Sequence, residues 1–313
     1  EKPVLRFDSE QIDVNKITET KSSITIVLKI TDFITDKQDF EKVIKALRDT
    51  AAVLKKYSGS IALVQQLSKD ADGLRELLVQ TIAASHPAKP DEINEHEYSA
   101  CRSFLENFDT IYTFNYDLLL YWARMHVRED ESPESDDGFR TPEDDYESSY
   151  VVWEPSQSHE QDMWYLHGAL HIFDSGTEIQ KYTWSKTGVR LIDQVRDALG
   201  KNLFPVFVSE GSSKEKYERI RHSDYLAKAY RSFSEITGAL FVYGHSFAAN
   251  DDHYLNCIKR GKTSHLYVGL YGDPNSEANK FIMRRADQLV AGRSIRKPLS
   301  VTYFDASTAK VWG

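Results

Sequence analysis

Thr110-Ile111-Tyr112-Thr113-Phe114-Asn115-Tyr116-Asp117 is the stretch on which the reading of the fold turns. Its first half is a short, nearly continuous apolar run, as expected for a strand buried on both faces of a parallel sheet. Its second half is polar and opens a helical pattern over residues 117–127, with Asp117 placed as an N-cap. Four further runs repeat the arrangement, at residues 163–166, 204–208, 239–243 and 265–270, each followed by small or polar residues. Helical patterns over residues 191–199, 225–234, 251–258 and 276–291 lie between or after them. Strand and helix in alternation predict a doubly wound α/β fold, a mostly parallel sheet with flanking helices.

Upstream the chain changes character. Ile24, Ile26, Leu28 and Ile30 alternate in a way that predicts a strand within residues 22–34, and Pro3 to Phe7 offers a candidate first strand. Asp39 is placed to cap a helix carrying Phe40, Val43, Ile44 and Leu47. A second helix is expected over residues 61–84, stopped by Pro87 and Pro90, and a third over residues 98–108. Residues 39–108 therefore read as a mostly helical insertion or cap within one domain spanning residues 1–313.

Composition narrows the function classes. Apolar residues are 41% and charged residues 28% of the 313, which suits a globular chain. The net charge of −9 is local: residues 129–147 hold ten acids against Arg140 alone, so the rest of the chain is neutral. With Pro133, Gly138 and Pro142 inside it, residues 129–150 read as a solvated acidic loop, and no metal is expected there. No basic stripe points to nucleic acid. No apolar run approaches the ~18 residues of a membrane-spanning helix. Nothing resembles a secretory leader, and a first residue of Glu1 suggests a start within a longer product. Cys101 and Cys257, the only cysteines, can form neither a disulfide framework nor a four-cysteine zinc site. A cytoplasmic protein is expected.

In doubly wound folds ligands bind beyond the carboxyl ends of the strands, so the candidate site residues are those that follow each run. Asn115 carries both a donor and an acceptor and can orient a water or a sugar hydroxyl. His167, beside Gly168 where the backbone can approach a ligand closely, has the near-neutral basicity of a general base. His171 is less well placed, because Ala169, Leu170, Ile172 and Phe173 read as a continuing buried segment. Gly244, His245 and Ser246 offer backbone amides and a hydroxyl to a phosphate or ribose, and Asp251 or Asp252 can cap the helix that follows.

These residues, in this order, resemble the sirtuin-like family. The resemblance rests on Thr113-Phe114-Asn115-Tyr116-Asp117, then His167-Gly168, then Gly244-His245-Ser246. The longer phrases Tyr112-Thr-Phe-Asn-Tyr-Asp-Leu-Leu-Leu-Tyr-Trp122, Leu166-His-Gly-Ala-Leu-His171, Gln180-Lys-Tyr-Thr-Trp184 and Tyr267-Val-Gly-Leu-Tyr-Gly-Asp-Pro274 are similar to a bacterial sirtuin-like family first catalogued as a domain of unknown function, over roughly residues 36–290. The resemblance implies a Rossmann-like, sirtuin-like fold and NAD+ glycohydrolase activity that yields nicotinamide and ADP-ribose. It also implies a toxic effector role in bacterial antiphage defence, through abortive infection by NAD+ depletion. Asn115 and His167 would be catalytic, and Thr113, Asp117, Gly168, Gly244, His245, Ser246 and Asp251 would bind NAD+. A homo-oligomer or a nucleotide- or phage-sensing subunit is the expected partner, with no nucleic acid and no membrane.

Two features depart from the sirtuin pattern. Residues 1–60 contain only Gly59, where a glycine-rich loop would cradle the pyrophosphate. The zinc-ribbon cysteines of the deacylases are missing, which argues against protein deacylation. The first departure keeps open an alternative: a catalytically inactive sirtuin-like subunit that binds a nucleotide and regulates a defence complex.

Overall fold

A computed structural model describes residues 5–7, 10–12, 24–28, 40–57, 61–84, 87, 89–125, 135–157, 160–183, 191–201, 203–208 and 212–313. In chain order the strands among these are β1 (Leu5–Phe7), β2 (Glu10–Ile12), β3 (Ile24–Leu28), β4 (Thr110–Thr113), β5 (Phe139–Arg140), β6 (Tyr150–Trp153), β7 (Met163–Tyr165), β8 (Gly168–Asp174), β9 (Ile179–Tyr182), β10 (Phe204–Phe207), β11 (Thr237–Tyr243), β12 (Lys262–Leu270) and β13 (Ser300–Asp305). The α-helices are α1 (Phe40–Lys56), α2 (Ile61–Ala84), α3 (Glu95–Leu105), α4 (Leu119–Met125), α5 (Leu191–Gly200), α6 (Ser213–His222), α7 (Asp224–Ser234), α8 (Asp252–Arg260) and α9 (Glu277–Ala291).

The larger sheet has the order β2-β1-β13-β12-β11-β3-β4-β7. From β13 to β7 every neighbouring pair is parallel, so six strands end on one edge. From β3 the chain adds β4 and then β7 on one side, and later β11, β12 and β13 on the other. The direction of growth thus reverses between β3 and β11. The apolar runs produce this sheet because nothing polar interrupts them. Ile111, Tyr112, Met163, Trp164, Leu240 and Phe241 are all buried. Helices cover them. Phe233 of α7 meets Tyr112 edge-on at 5.2 Å and Tyr254 of α8 at the same distance, while Phe104 of α3 lies 5.7 Å from Tyr243. Each fully buried side chain of this size contributes about 1.5–3 kcal/mol.

Several expectations need correction. The candidate first strand at residues 3–7 appears as β1, but it lies between β2 and β13 and runs antiparallel to both, so the first parallel strand is β3. Residues 204–208 do form a strand, but β10 pairs antiparallel with β8 in a separate sheet, order β10-β8-β9-β6-β5. A continuous apolar run signals burial on both faces and carries no information about the direction of its neighbour. Helix α6 was not anticipated, although Ser212 and Glu215 form a capping box at its start. The crossover from β3 to β4 holds α1, α2 and α3, as the helical reading of residues 39–108 expects. Asp39 and Ile30 lie outside the described residues.

The acidic stretch differs most from expectation. Its residues 129–134 lie outside the described residues. Asp136 forms an ion pair with Arg140 and accepts from the Gly138 N–H at 2.7 Å. Asp137 is buried and paired with buried Lys181 of β9, whose ammonium sits 4.5 Å from the Tyr121 ring centroid and 4.8 Å from that of Phe139. Asp136 and Asp137 are thus tied into the second sheet, whereas Glu143, Asp144, Asp145 and Glu147 are exposed, as a solvated loop requires.

Candidate active site at the strand exits

The exits of β4, β7 and β11 converge because their strands share one edge of the parallel sheet. His167 sits in the two-residue turn that takes the chain from β7 in one sheet to β8 in the other. Gly168, at φ +78°, adopts the left-handed conformation that this reversal requires. The turn is fixed on several sides. Leu166 N–H donates to Thr113 O at 2.8 Å, Tyr254 hydroxyl donates to Leu166 O at 2.8 Å, and Val208 N–H donates to His167 O at 2.8 Å. The imidazole meets Phe114 edge-on at 4.6 Å and lies nearly parallel to the rings of Tyr116 at 6.4 Å and His253 at 6.0 Å.

Around Asp251, in a short 3-10 turn before α8, the polar groups gather. Lys216 Nζ of α6 donates to its Oδ1 at 3.0 Å, and His167 Nε2 lies 3.7 Å from the same oxygen. His245 Nε2 lies 3.3 Å from Oδ2. Phe247 N–H donates to His245 Nδ1 at 3.0 Å, which leaves the proton of a neutral His245 on Nε2, facing the carboxylate. All four side chains are at most 4% exposed. Burial alone would push the Asp251 carboxyl up, but the His245 hydrogen bond and the electrostatic pull of the neighbouring His167, His245 and Lys216 side chains outweigh it and hold the group well below the ordinary carboxylate range. It is ionised at every physiological pH.

His253 completes the cluster. Burial pulls its pKa down to about 4, so the ring is neutral near pH 7. Ser213 Oγ accepts the His253 backbone N–H at 2.8 Å and lies 3.1 Å from Nδ1 of the same ring. His167, Asp251 and His253 bring one donor atom each within 4.8 Å of one another. A cation is nevertheless already supplied there by the Lys216 ammonium, directly on Asp251 Oδ1.

The structure thus joins His167, His245 and Asp251. Asn115 is buried one residue from both Phe114 and Tyr116, and its backbone N–H donates to Thr113 Oγ1 at 2.9 Å. Asp117 turns away to the N-terminus of α4, where Oδ1 accepts the Leu119 N–H at 2.9 Å. Burial lifts its pKa to about 6, with the Leu119 bond opposing. Gly244, at φ +72°, is exposed at the end of β11, and Ser246 is half-buried beside His245; neither figures in the hydrogen bonds around Asp251. Lys216, Ser213 and His253 were missed from sequence. The only signal for the first two was the capping box, which marks a helix whose buried Ile220 lies one turn beyond Lys216.

A family model described as Domain of unknown function (DUF4917) matches residues 15–312, nearly the whole chain, and the chain belongs to that family. No curated protein matches it.

Proposed function

We propose that this member of the DUF4917 family is an NAD+ glycohydrolase with a Rossmann-like, sirtuin-like fold, releasing nicotinamide and ADP-ribose. The observation that carries the reading is His167, locked at the exit of a parallel strand and set between aromatic rings beside the exit that bears Asn115. The reversal of strand order between β3 and β11 supports it, since open α/β sheets bind nucleotides at such a point. The resemblance of residues 112–122, 166–171, 180–184 and 267–274 to bacterial sirtuin-like proteins is what suggests NAD+ as the substrate.

In this reading the glycosidic bond to nicotinamide breaks with its electron pair leaving on the neutral base, and positive charge develops on the ribose. Water adds at the anomeric carbon and gives up a proton, which His167 accepts. Asn115 orients the water or the ribose hydroxyl. A positioned base contributes typically 10²–10⁴-fold, and the buried surroundings keep competing water away. Products and proton balance: NAD+ and water give nicotinamide, ADP-ribose and H+. No metal takes part.

His167 and Asn115 are so deeply enclosed that the side chains above them must part for NAD+ to enter. A closed resting site suits an effector in bacterial antiphage defence, held off in the cytoplasm until self-assembly or a sensor subunit opens it. One observation favours a second reading. The segment that follows β3, residues 29–39, contains no glycine to cradle a pyrophosphate. A nucleotide-binding regulatory subunit without turnover fits that feature. Chromatography of NAD+ incubated with the purified chain separates the two: nicotinamide release supports hydrolysis, and tight binding of intact NAD+ supports the regulatory module.

A further inference from the structure

The cluster around Asp251 contains more charge than a lone histidine base needs. Its carboxylate is inaccessible, and its oxygens are engaged by Lys216 on one side and His245 on the other. Lys216 is equally enclosed and comes from α6, whose other contact here is that of Ser213 with His253.

We infer that Lys216 and Asp251 form a positioning pair that keeps His167 oriented and neutral, so that it rests as a base ready to accept a proton. The assignment rests on the reading of His167 as the base. The geometry gives each partner a separate task. Asp251 Oδ1 lies 3.7 Å from His167 Nε2, so the carboxylate faces that nitrogen and favours the tautomer that carries its proton there. A bare buried carboxylate at that distance would also trap the imidazole in its protonated form. The Lys216 ammonium, 3.0 Å from the same oxygen, cancels this effect.

Phe114 and Tyr116 approach His167 from beyond β4 and carry no charge, and His253 and Tyr254 approach from α8. His253 is neutral near pH 7. His245 Nε2 faces the other oxygen of Asp251 at 3.3 Å, while its Nδ1 accepts the Phe247 N–H. Lys216 and Asp251 are the charged pair beside His167, and together they bias its proton affinity.

The two halves of the pair act with opposite sign, which makes the inference testable without substrate. The full chain is labelled with 13C at the histidine ring, and the His167 signal is identified by its loss in His167→Gln. Its titration is then followed by NMR in the absence of NAD+. Lys216→Met leaves the carboxylate uncompensated and is expected to raise the His167 midpoint by about one pH unit or more, tenfold in the protonated-to-neutral ratio. Asp251→Asn leaves the ammonium uncompensated and is expected to lower it by a similar amount. Lys216→Arg keeps the charge and is expected to leave the midpoint near that of the wild type.

If Lys216→Met does not fold, the Lys216→Met/Asp251→Asn double variant, which buries no lone charge, replaces it. Its midpoint is expected about one unit above that of Asp251→Asn alone. Shifts of the same sign in the two single variants, or no shift in Asp251→Asn, overturn the pair. Because the titration contains no NAD+, a chain that fails to hydrolyse NAD+ still shows these shifts, and the two failures remain distinct.

Discussion

Replacing Asp137 with Asn tests whether the acidic stretch is a built part of the fold. Both partners of the Asp137–Lys181 pair are buried, and the Lys181 ammonium is flanked by Tyr121 and Phe139. Asp137→Asn preserves shape but leaves that ammonium without its counter-charge. The lysine can escape by losing its proton, which at pH 7 costs about 4.6 kcal/mol from a reference pKa near 10.4. Breaking buried ion pairs costs about 3–5 kcal/mol in general, so the two routes to the number agree. At about 2.1 cal/mol/K of unfolding entropy per residue over 313 residues, this lowers Tm by about 5–8 °C.

The sign with pH follows. Burial already depresses the Lys181 pKa despite Asp137 beside it, and removing Asp137 depresses it further. The folded variant then binds fewer protons than the unfolded chain, so its stability rises with pH. The stability deficit against wild type should narrow by about 1.4 kcal/mol per pH unit between pH 7 and pH 9, and the Tm deficit with it. Differential scanning calorimetry at both pH values reads this. A variant melting within 1 °C of wild type at pH 7, or a deficit that widens towards pH 9, refutes the reasoning. The same contacts predict that deleting residues 131–145 yields insoluble or unfolded protein, since the deletion removes β5 and Asp137 together.

Three further outcomes are expected. Asp117 has a folded pKa raised to about 6, so between pH 4 and pH 6 the folded chain holds a proton that the unfolded chain releases. Its stability contribution therefore falls as pH rises, and Asp117→Asn should gain about 3 kcal/mol relative to wild type from pH 4 to pH 7 in urea unfolding; a pH-independent difference contradicts this. Gly138→Ala should lower stability by about 1–3 kcal/mol, because φ is +81° there and a Cβ would stand 2.3 Å from Gln161 Oε1, itself tied to Trp153 at 3.2 Å. NAD+ turnover per chain should rise with protein concentration, recorded with light scattering on the same samples, since a hundredfold restraint needs only about 2.7 kcal/mol of coupling; full turnover from a dilute monomer contradicts the closed resting state.

The parallel sheet was legible because its strands are uninterrupted apolar runs, each with a polar exit, and the exits of β4, β7 and β11 could be named before their positions were known. The second sheet was not legible. β10 reads like its parallel counterparts, and β8 follows β7 after a turn of only Leu166 and His167, too short to signal a change of sheet. Asp137 and Lys181 are 44 residues apart and look like surface charges until the pairing of β9 with β6 and β8 encloses them. Lys216 is hidden for a related reason. It lies in Ser213-Lys-Glu-Lys-Tyr-Glu-Arg-Ile220, a sequence of solvent-facing character, and only the capping box at Ser212 and the apolar Ile220 mark the helix and its inner face. His167 and Asp251 could be named from local sequence, and Lys216, which pairs with Asp251, could not.

Nicotinamide release is the most direct test of the central claim. The wild-type chain, at the highest concentration at which it stays soluble, is incubated with NAD+ and the products are resolved by chromatography, beside His167→Gln and Asn115→Ala of matched Tm. The account predicts equal amounts of nicotinamide and ADP-ribose from wild type and a loss of about 10²-fold or more in His167→Gln. Intact NAD+ after prolonged incubation with folded wild-type protein, or undiminished release by His167→Gln, contradicts it.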